Sequence, residues 1–217
     1  ITLKLKQTND LIKLSKANKK LLAEATIFSF HNQIKKAVKL VGGLKNIDQI
    51  VMNFCIPFPP KNNIKLSHKL GGGVNNDMGP YAAGTFRIFY KYFPEKIYKI
   101  TNIQKKVVTK LSLIASYKSK HLIGHLSFGK EYKNDLLLFS NKKIVKINSV
   151  FSPNPFLSTE ILTKFKNKFK KKIIEKQSTF KNFLNLYLKC LKVKKYNYFY
   201  ENIIYDSKFR EKLNEKK

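Results

Sequence analysis

The stretch Asn53–Ile100, NFCIPFPPKNNIKLSHKLGGGVNNDMGPYAAGTFRIFYKYFPEKIYKI, decides how the chain is read. Its first part, 55–66, carries Pro57, Pro59 and Pro60. Proline fixes φ and biases the residue before it away from the helical region, so this part reads as extended. It also lacks the N–H that a sheet ladder needs, which places the segment at an edge or on an arm. The last part, 85–92, holds the β-formers Phe86, Ile88 and Phe89, with Arg87, Tyr90 and Lys91 as polar ends. Between them Gly71-Gly72-Gly73, Asn75-Asn76-Asp77 and Gly79-Pro80 are turn chemistry. The local prediction is a long β-hairpin with a basic tip.

Working outward, 1–6 (ITLKLK) alternates apolar and polar residues and predicts a half-buried strand. Thr8, Asn9 and Asp10 are N-cap types, and apolar residues recur at helical spacing from Leu11 to Val41, up to Gly42-Gly43. A strand over 47–54 leads into the proline segment. Past the hairpin, 97–100 continues a strand, 103–117 reads as a second helix and 121–128 as a fourth strand. The order is β-α-β-β-α-β, a ferredoxin-like split unit in the α+β class.

The same stretch resembles the small-subunit ribosomal protein S-ten family. Ile56-Pro57-Phe58-Pro59 stands for its I-P-L-P, Ser67-His68 for S-P-H, Val74-Asn75-Asn76-Asp77 for V-N-K-D, and Phe86-Arg87-Ile88 for the next strand. The proline of S-P-H is missing, 69–73 is an insertion, and 80–85 departs from the family's short step. The resemblance covers about 1–128 and implies the same ferredoxin-like core. It also implies a structural place in the head of the small ribosomal subunit, bound to rRNA and neighbouring head proteins.

Composition points the same way. Across 217 residues, 44 Lys and Arg against 13 Asp and Glu give a net charge of +31. Such an excess repels itself unless a polyanion is near; nucleic acid is the commonest partner and an anionic membrane surface the second. Only Arg87 and Arg210 are arginine, and Lys, Asn, Ile, Phe and Tyr are abundant. These are residues of A/T-rich codons, which favours an organellar genome: the mitochondrion of a microbial eukaryote, with another organelle or an A/T-rich parasite as alternatives. No uninterrupted apolar run reaches the roughly 20 residues that span a bilayer. No signal peptide is visible, and the chain begins at Ile1.

Residues 129–217 show no family resemblance and form a basic, mostly helical C-terminal extension in this reading. A small hairpin falls over 131–148, Ser152-Pro153-Asn154-Pro155 is a linker, and amphipathic helices follow at 160–177 and 179–195. Domains are thus predicted at 1–128 and 129–217.

The candidate rRNA-binding residues are Lys61, Lys65, His68, Lys69, Asn75, Asn76 and Arg87 around the arm. Lys164, Lys168, Lys171 and Lys172 join them on the basic face of 160–177. Lysine neutralises phosphate rather than reading bases. A solvated basic loop and a solvated helix face are the bland alternatives. Cys55 and Cys190 lack metal spacing, and His121/His125 sit in HLIGH without a glutamate, so no metal is expected. Carboxylates are scattered, with no paired set for acid–base work, so neither an enzyme nor a cofactor or small-molecule substrate is expected. The rival to a ribosomal protein is a basic peripheral membrane protein anchored by 158–195.

Overall fold

A computed structural model describes residues 2–215, so Ile1 of the predicted first strand lies outside the described residues. The chain begins with helix α1 (Leu5–Ala17), where a strand over 1–6 is predicted. Lys19 turns into the left-handed region (φ 51°), and a stretch without regular structure runs to a 3₁₀ turn at Ile27–Phe30. Helix α2 (Asn32–Val41) then starts on His31, whose Nδ1 accepts from the Gln33 N–H. The single long helix predicted over 11–41 is therefore two, because the apolar spacing resumes in phase after a break.

Strand β1 (Gln49–Ile56) overlaps the predicted strand 47–54. The predicted hairpin after it is absent. Residues 57–73 fold back as a loop containing a 3₁₀ turn (Ile64–Leu66), followed by the short helix α3 (Val74–Asp77) and helix α4 (Gly79–Tyr90). Pro80 sits in the first turn of α4, where its missing N–H costs nothing. Ala82, Ala83, Phe86, Phe89 and Tyr90 all bury. Burial of that face outweighs the β-propensity of Phe86 and Ile88. The helix stops at Lys91 in the left-handed region, φ 67°.

Strands β2 (Lys96–Gln104) and β3 (Val107–Tyr117) replace the helix predicted over 103–117. Between them Lys105 and Lys106 both have positive φ, 48° and 66°, as a two-residue hairpin turn requires. Along β3, Val107, Thr109, Leu111, Leu113 and Ala115 alternate inward, a period of two that the helical count overlooks. Strand β4 (Lys120–Phe128) completes the first half.

The second half continues the same sheet with β5 (Lys133–Phe139), β6 (Ile144–Asn148), β7 (Thr159–Phe165) and β8 (Lys168–Ile174). The basic helix predicted over 160–177 is the β7–β8 hairpin, turned at Lys166 and Asn167 with φ 46° and 60°. Helices α5 (Thr179–Val193) and α6 (Asn197–Asn214) close the chain.

The strands form one eight-stranded mixed sheet, order β2-β3-β4-β1-β5-β6-β7-β8. Among the described residues, only β1 and β4 pair in parallel. A ferredoxin-like core with a helical extension is thereby ruled out. The 128/129 boundary falls between two strands that flank the same central strand, β1. The main core lies under α2, α4 and α6: Phe28, Ile50, Met52, Phe86, Phe89, Leu113, Leu122, Phe128, Leu136, Leu138 and Phe209 belong to it.

Candidate functional site

The carboxyl ends of the parallel pair, Ile56 and Phe128, lie at one end of the sheet. Ligands of open α/β sheets collect beyond such ends. The same end gathers the 57–73 loop, the start of β5, Phe151 and Ser152 beyond β6, and the first turns of α2 and α4. The α2 start is held there by Gln33, whose Nε2 donates to the carbonyl of Val150 at 3.3 Å. The far end of α4 is pinned by Tyr90, whose hydroxyl donates to the carbonyls of His121 (2.6 Å) and Asp48 (3.1 Å).

Tyr81 stands in the first turn of α4 inside an aromatic box. Its ring centroid is 5.0 Å from Phe54, 5.4 Å from Phe151 and 5.8 Å from Phe28. Burial pushes its hydroxyl above the usual phenol range, and the charge of Asp77 and then Tyr132 add to this. Tyr81 is therefore a protonated donor at neutral pH. Asp77, four residues earlier, takes Lys65 as partner, Nζ to Oδ2 2.7 Å. Asp77 and Lys65 line a cleft of about 410 Å³ together with Gly71, Gly72, Glu24 and Arg210.

Two devices shape that cleft. A Cβ on Gly72 would lie 2.5 Å from the Lys65 carbonyl oxygen, so only glycine lets these two segments touch. Arg210 is 5 % exposed and donates to the carbonyl of Thr2, while its Nε has no partner among the described residues. Beside Tyr81 runs a polar rim. Tyr132 Oη and Ser152 Oγ are 2.8 Å apart, and Asn134 Nδ2 donates to both at 2.9 Å. Asn134 Oδ1 accepts from the Phe151 N–H at 2.9 Å, which couples this rim to the aromatic box.

The residues singled out from sequence do not share one surface. Lys61, His68 and Lys69 are exposed on the 57–73 loop, and Lys65 is half-buried in its ion pair. Asn75 is buried and donates to Asn214 of α6; Asn76 donates to the Gly71 carbonyl at 3.0 Å. Arg87 points between α4 and α6, where it clamps Asp206 through Nε (3.0 Å) and Nη2 (3.1 Å). Lys164, Lys168, Lys171 and Lys172 lie at the opposite edge of the sheet, on β7 and β8. Lys171 pairs with Glu160 there. Tyr81, Tyr132, Glu24 and Arg210 carry no signal in a strand reading of 85–92. Asp77 ends α3 and Tyr81 stands in the first turn of α4, so the helical path on either side of Met78, not a strand, is what brings the two near each other.

No family model matches the chain, and no curated protein sequence matches it. Solved structures do. KijD10, a 3-ketoreductase from Actinomadura kijaniata in complex with NADP and TDP-benzene, superposes with TM-score 0.87 at 14% identity, over 97% of this chain and 66% of that one. The aldose-aldose oxidoreductase of Caulobacter crescentus, complexed with glycerol, gives 0.87 at 14%, over 98% and 66%. The UDP-N-acetylglucosamine 3-dehydrogenase GnnA of Acidithiobacillus ferrooxidans gives 0.73 at 10%, over 98% and 66%. At such identities the likeness is one of fold, and the chain spans about two thirds of these proteins' length.

These matches overturn the resemblance to the S-ten family, and with it the structural role in the small ribosomal subunit and the rRNA and ribosomal-protein partners. The short motifs behind that resemblance fall on a loop, a 3₁₀ turn and two helices, not on a hairpin. The structural neighbours are oxidoreductases, which does not support the expectation of a non-enzyme. A membrane anchor gains nothing either: 160–177 is a hairpin, and no described helix is long and apolar enough to cross a membrane.

Proposed function

We propose that this chain forms the substrate-side part of a nicotinamide-dependent sugar oxidoreductase and binds a sugar nucleotide at the Tyr81 site. The fold match supports the class. The observation that carries the site is the protonated, box-held Tyr81, near the Asp77–Lys65 pair at the carboxyl end of the parallel strands.

A dinucleotide does not fit the residues of this chain. Its phosphates need a glycine-rich turn joining a strand directly to a helix. The longest glycine run, Gly71–Gly73, follows β1 at a distance and opens a helix of four residues. Gly72 there is filled against protein carbonyls, not open to a ligand.

The chain's own residues do three things. The Tyr81 hydroxyl, protonated at neutral pH, donates to a sugar oxygen. Asp77 holds Lys65 in place, so its ammonium stays at the cleft instead of swinging into water. Asn134 Nδ2 donates to both Tyr132 Oη and Ser152 Oγ, which fixes the polar rim beside Tyr81.

Calorimetric titration with UDP- and TDP-sugars tests this. Binding is expected, and Tyr81→Phe should weaken it about fivefold to tenfold, one hydrogen bond's worth, with the thermal midpoint nearly unchanged. Failure of both nucleotides to bind, or equal affinity in Tyr81→Phe, would reject the assignment.

A further inference from the structure

Three helical faces meet away from the Tyr81 site. On α2, Ile34 and Val38 are one turn apart; Arg87 and Ile88 stand in the last turn of α4, with Lys91 just beyond it. On α6, Tyr198, Asn202 and Tyr205 fall at i, i+4 and i+7, so they share one side of the helix. These residues and Leu44 line a cavity of about 610 Å³. Its size falls within the roughly 300–1,000 Å³ of small-molecule sites. The cavity shares no lining residue with the cleft of Lys65 and Asp77. Lys91 lies about 15 Å along α4 from Tyr81, at a rise of about 1.5 Å per residue.

The lining has two kinds of surface. Ile34, Val38, Leu44 and Ile88 are apolar and buried or half-buried. Tyr205 is a fixed aromatic wall: its hydroxyl donates to the Tyr92 carbonyl at 2.7 Å, and its ring meets Phe93 edge-on at 5.2 Å. The Arg87 guanidinium lies 5.9 Å from that ring, held in turn by Asp206 and Asn202. Tyr198, 44% exposed, leaves a second ring available. Among the described residues neither Lys35 nor Lys91 makes an ion pair, and both are exposed. Asp206 balances Arg87 and Glu201 offsets one lysine, so the lining keeps a positive excess.

We propose that this cavity binds a small organic anion with a flat apolar body, of the aromatic carboxylate class. The body lies on the apolar lining against the Tyr198 and Tyr205 rings, and the carboxylate takes charge-assisted hydrogen bonds from the lysines. A cation of the same shape would meet like charge, and a neutral molecule would leave both lysines unpaired. A sugar would bring its hydroxyls against four aliphatic side chains and give up hydrogen bonds to water without replacement. An occupant bridges α2, α4 and α6, so binding should raise the thermal midpoint of the chain.

Calorimetric titration of the intact chain with 2-naphthoate tests the site. Saturable one-site binding is expected, with a dissociation constant below about 1 mM. The neutral isostere 2-naphthamide should bind at least about tenfold more weakly. Lys35→Gln with Lys91→Gln, both at exposed positions, should weaken 2-naphthoate about tenfold without moving the thermal midpoint of the free chain. A chain this basic gathers anions over its whole surface, so a matched pair sets the baseline. Lys168→Gln with Lys170→Gln removes the same charge from β8 and should leave the affinity unchanged. Val38→Trp fills the cavity without altering charge and should abolish binding. UDP-glucose should not displace 2-naphthoate, since the two cavities share no residue. No saturable binding, equal affinity for the amide, indifference to the loss of Lys35 and Lys91, an equal loss in the β8 pair, or displacement by UDP-glucose would each overturn the proposal.

Discussion

At the scale of single residues, Gly72 and Asp77 show how local chemistry sets the site. Gly72 is required by contact, not by φ: an added Cβ would lie 2.5 and 2.6 Å from the carbonyl oxygens of Lys65 and Ile64. Gly72→Ala must therefore push the 64–66 turn outward and draw Lys65 away from Asp77. Urea unfolding should show a loss of about 1–3 kcal/mol, and sugar-nucleotide affinity should fall with it. A fully stable Gly72→Ala chain would mean that the turn moves freely and does not set Lys65. The sequence marks Lys65 and Asp77 through the glycine and asparagine run. It reads them as a phosphate-binding tip and a turn former, because nothing in a linear string says that 57–73 folds back on α3. Tyr81 is hidden for a related reason: an aromatic beside Gly79-Pro80 looks like the end of a turn until the helix is placed.

Elements are where one-dimensional periodicity misleads most. Ile161, Leu162, Phe165, Phe169 and Ile173 fit a helical face as well as they fit two strands. The deciding signal is the Lys166-Asn167 pair, a two-residue turn between alternating segments, where asparagine tolerates positive φ. The lysines of β8 then have a plain use, since a charged edge strand discourages pairing with other chains. The joint between α4 and α6 gives an element-scale test. Arg87 grips Asp206 with two bonds and also Asn202 Oδ1 at 2.8 Å. Burial still raises the Asp206 carboxyl from 3.8 to about 6, outweighing the pull of Arg87. Over that window the folded chain keeps a proton that the unfolded chain has released. This group's contribution to stability is thus full below about pH 4 and is lost as pH rises through about 6. Wild-type stability minus that of Asp206→Asn, measured by urea unfolding, should fall on the order of 1–3 kcal/mol from pH 4 to 7. A flat difference would show that the carboxyl is ionised throughout.

For the molecule as a whole, sheet order decides cooperativity. β1 is the structural centre: its residues pair with β4 in parallel on one side and with β5 on the other. The chain reaches β5 only after position 129, so cutting at 128/129 strips β1 of its antiparallel neighbour. The cut also removes α6, which supplies Phe209 and Leu213 to the main core and Asp206 to Arg87. A boundary drawn where a family resemblance ends has no physical counterpart in these contacts. The sequence hides this because a long-range strand pair leaves no periodic trace, whereas the local elements β1, β4 and α5 do. The full chain should therefore unfold in one transition, with the same urea midpoint by far-ultraviolet circular dichroism and by tyrosine fluorescence. Fragment 1–128 retains α4 and the β2–β3–β4–β1 sheet but exposes Ile50, Met52, Phe86 and Phe89, all at most 1 % exposed in the whole chain. It should show no cooperative transition and a collapsed, dye-binding state at best. A sharp urea transition for 1–128, with near-ultraviolet signal retained, would establish an independent folding unit there. The continuous sheet would then be a docking of two units rather than one core.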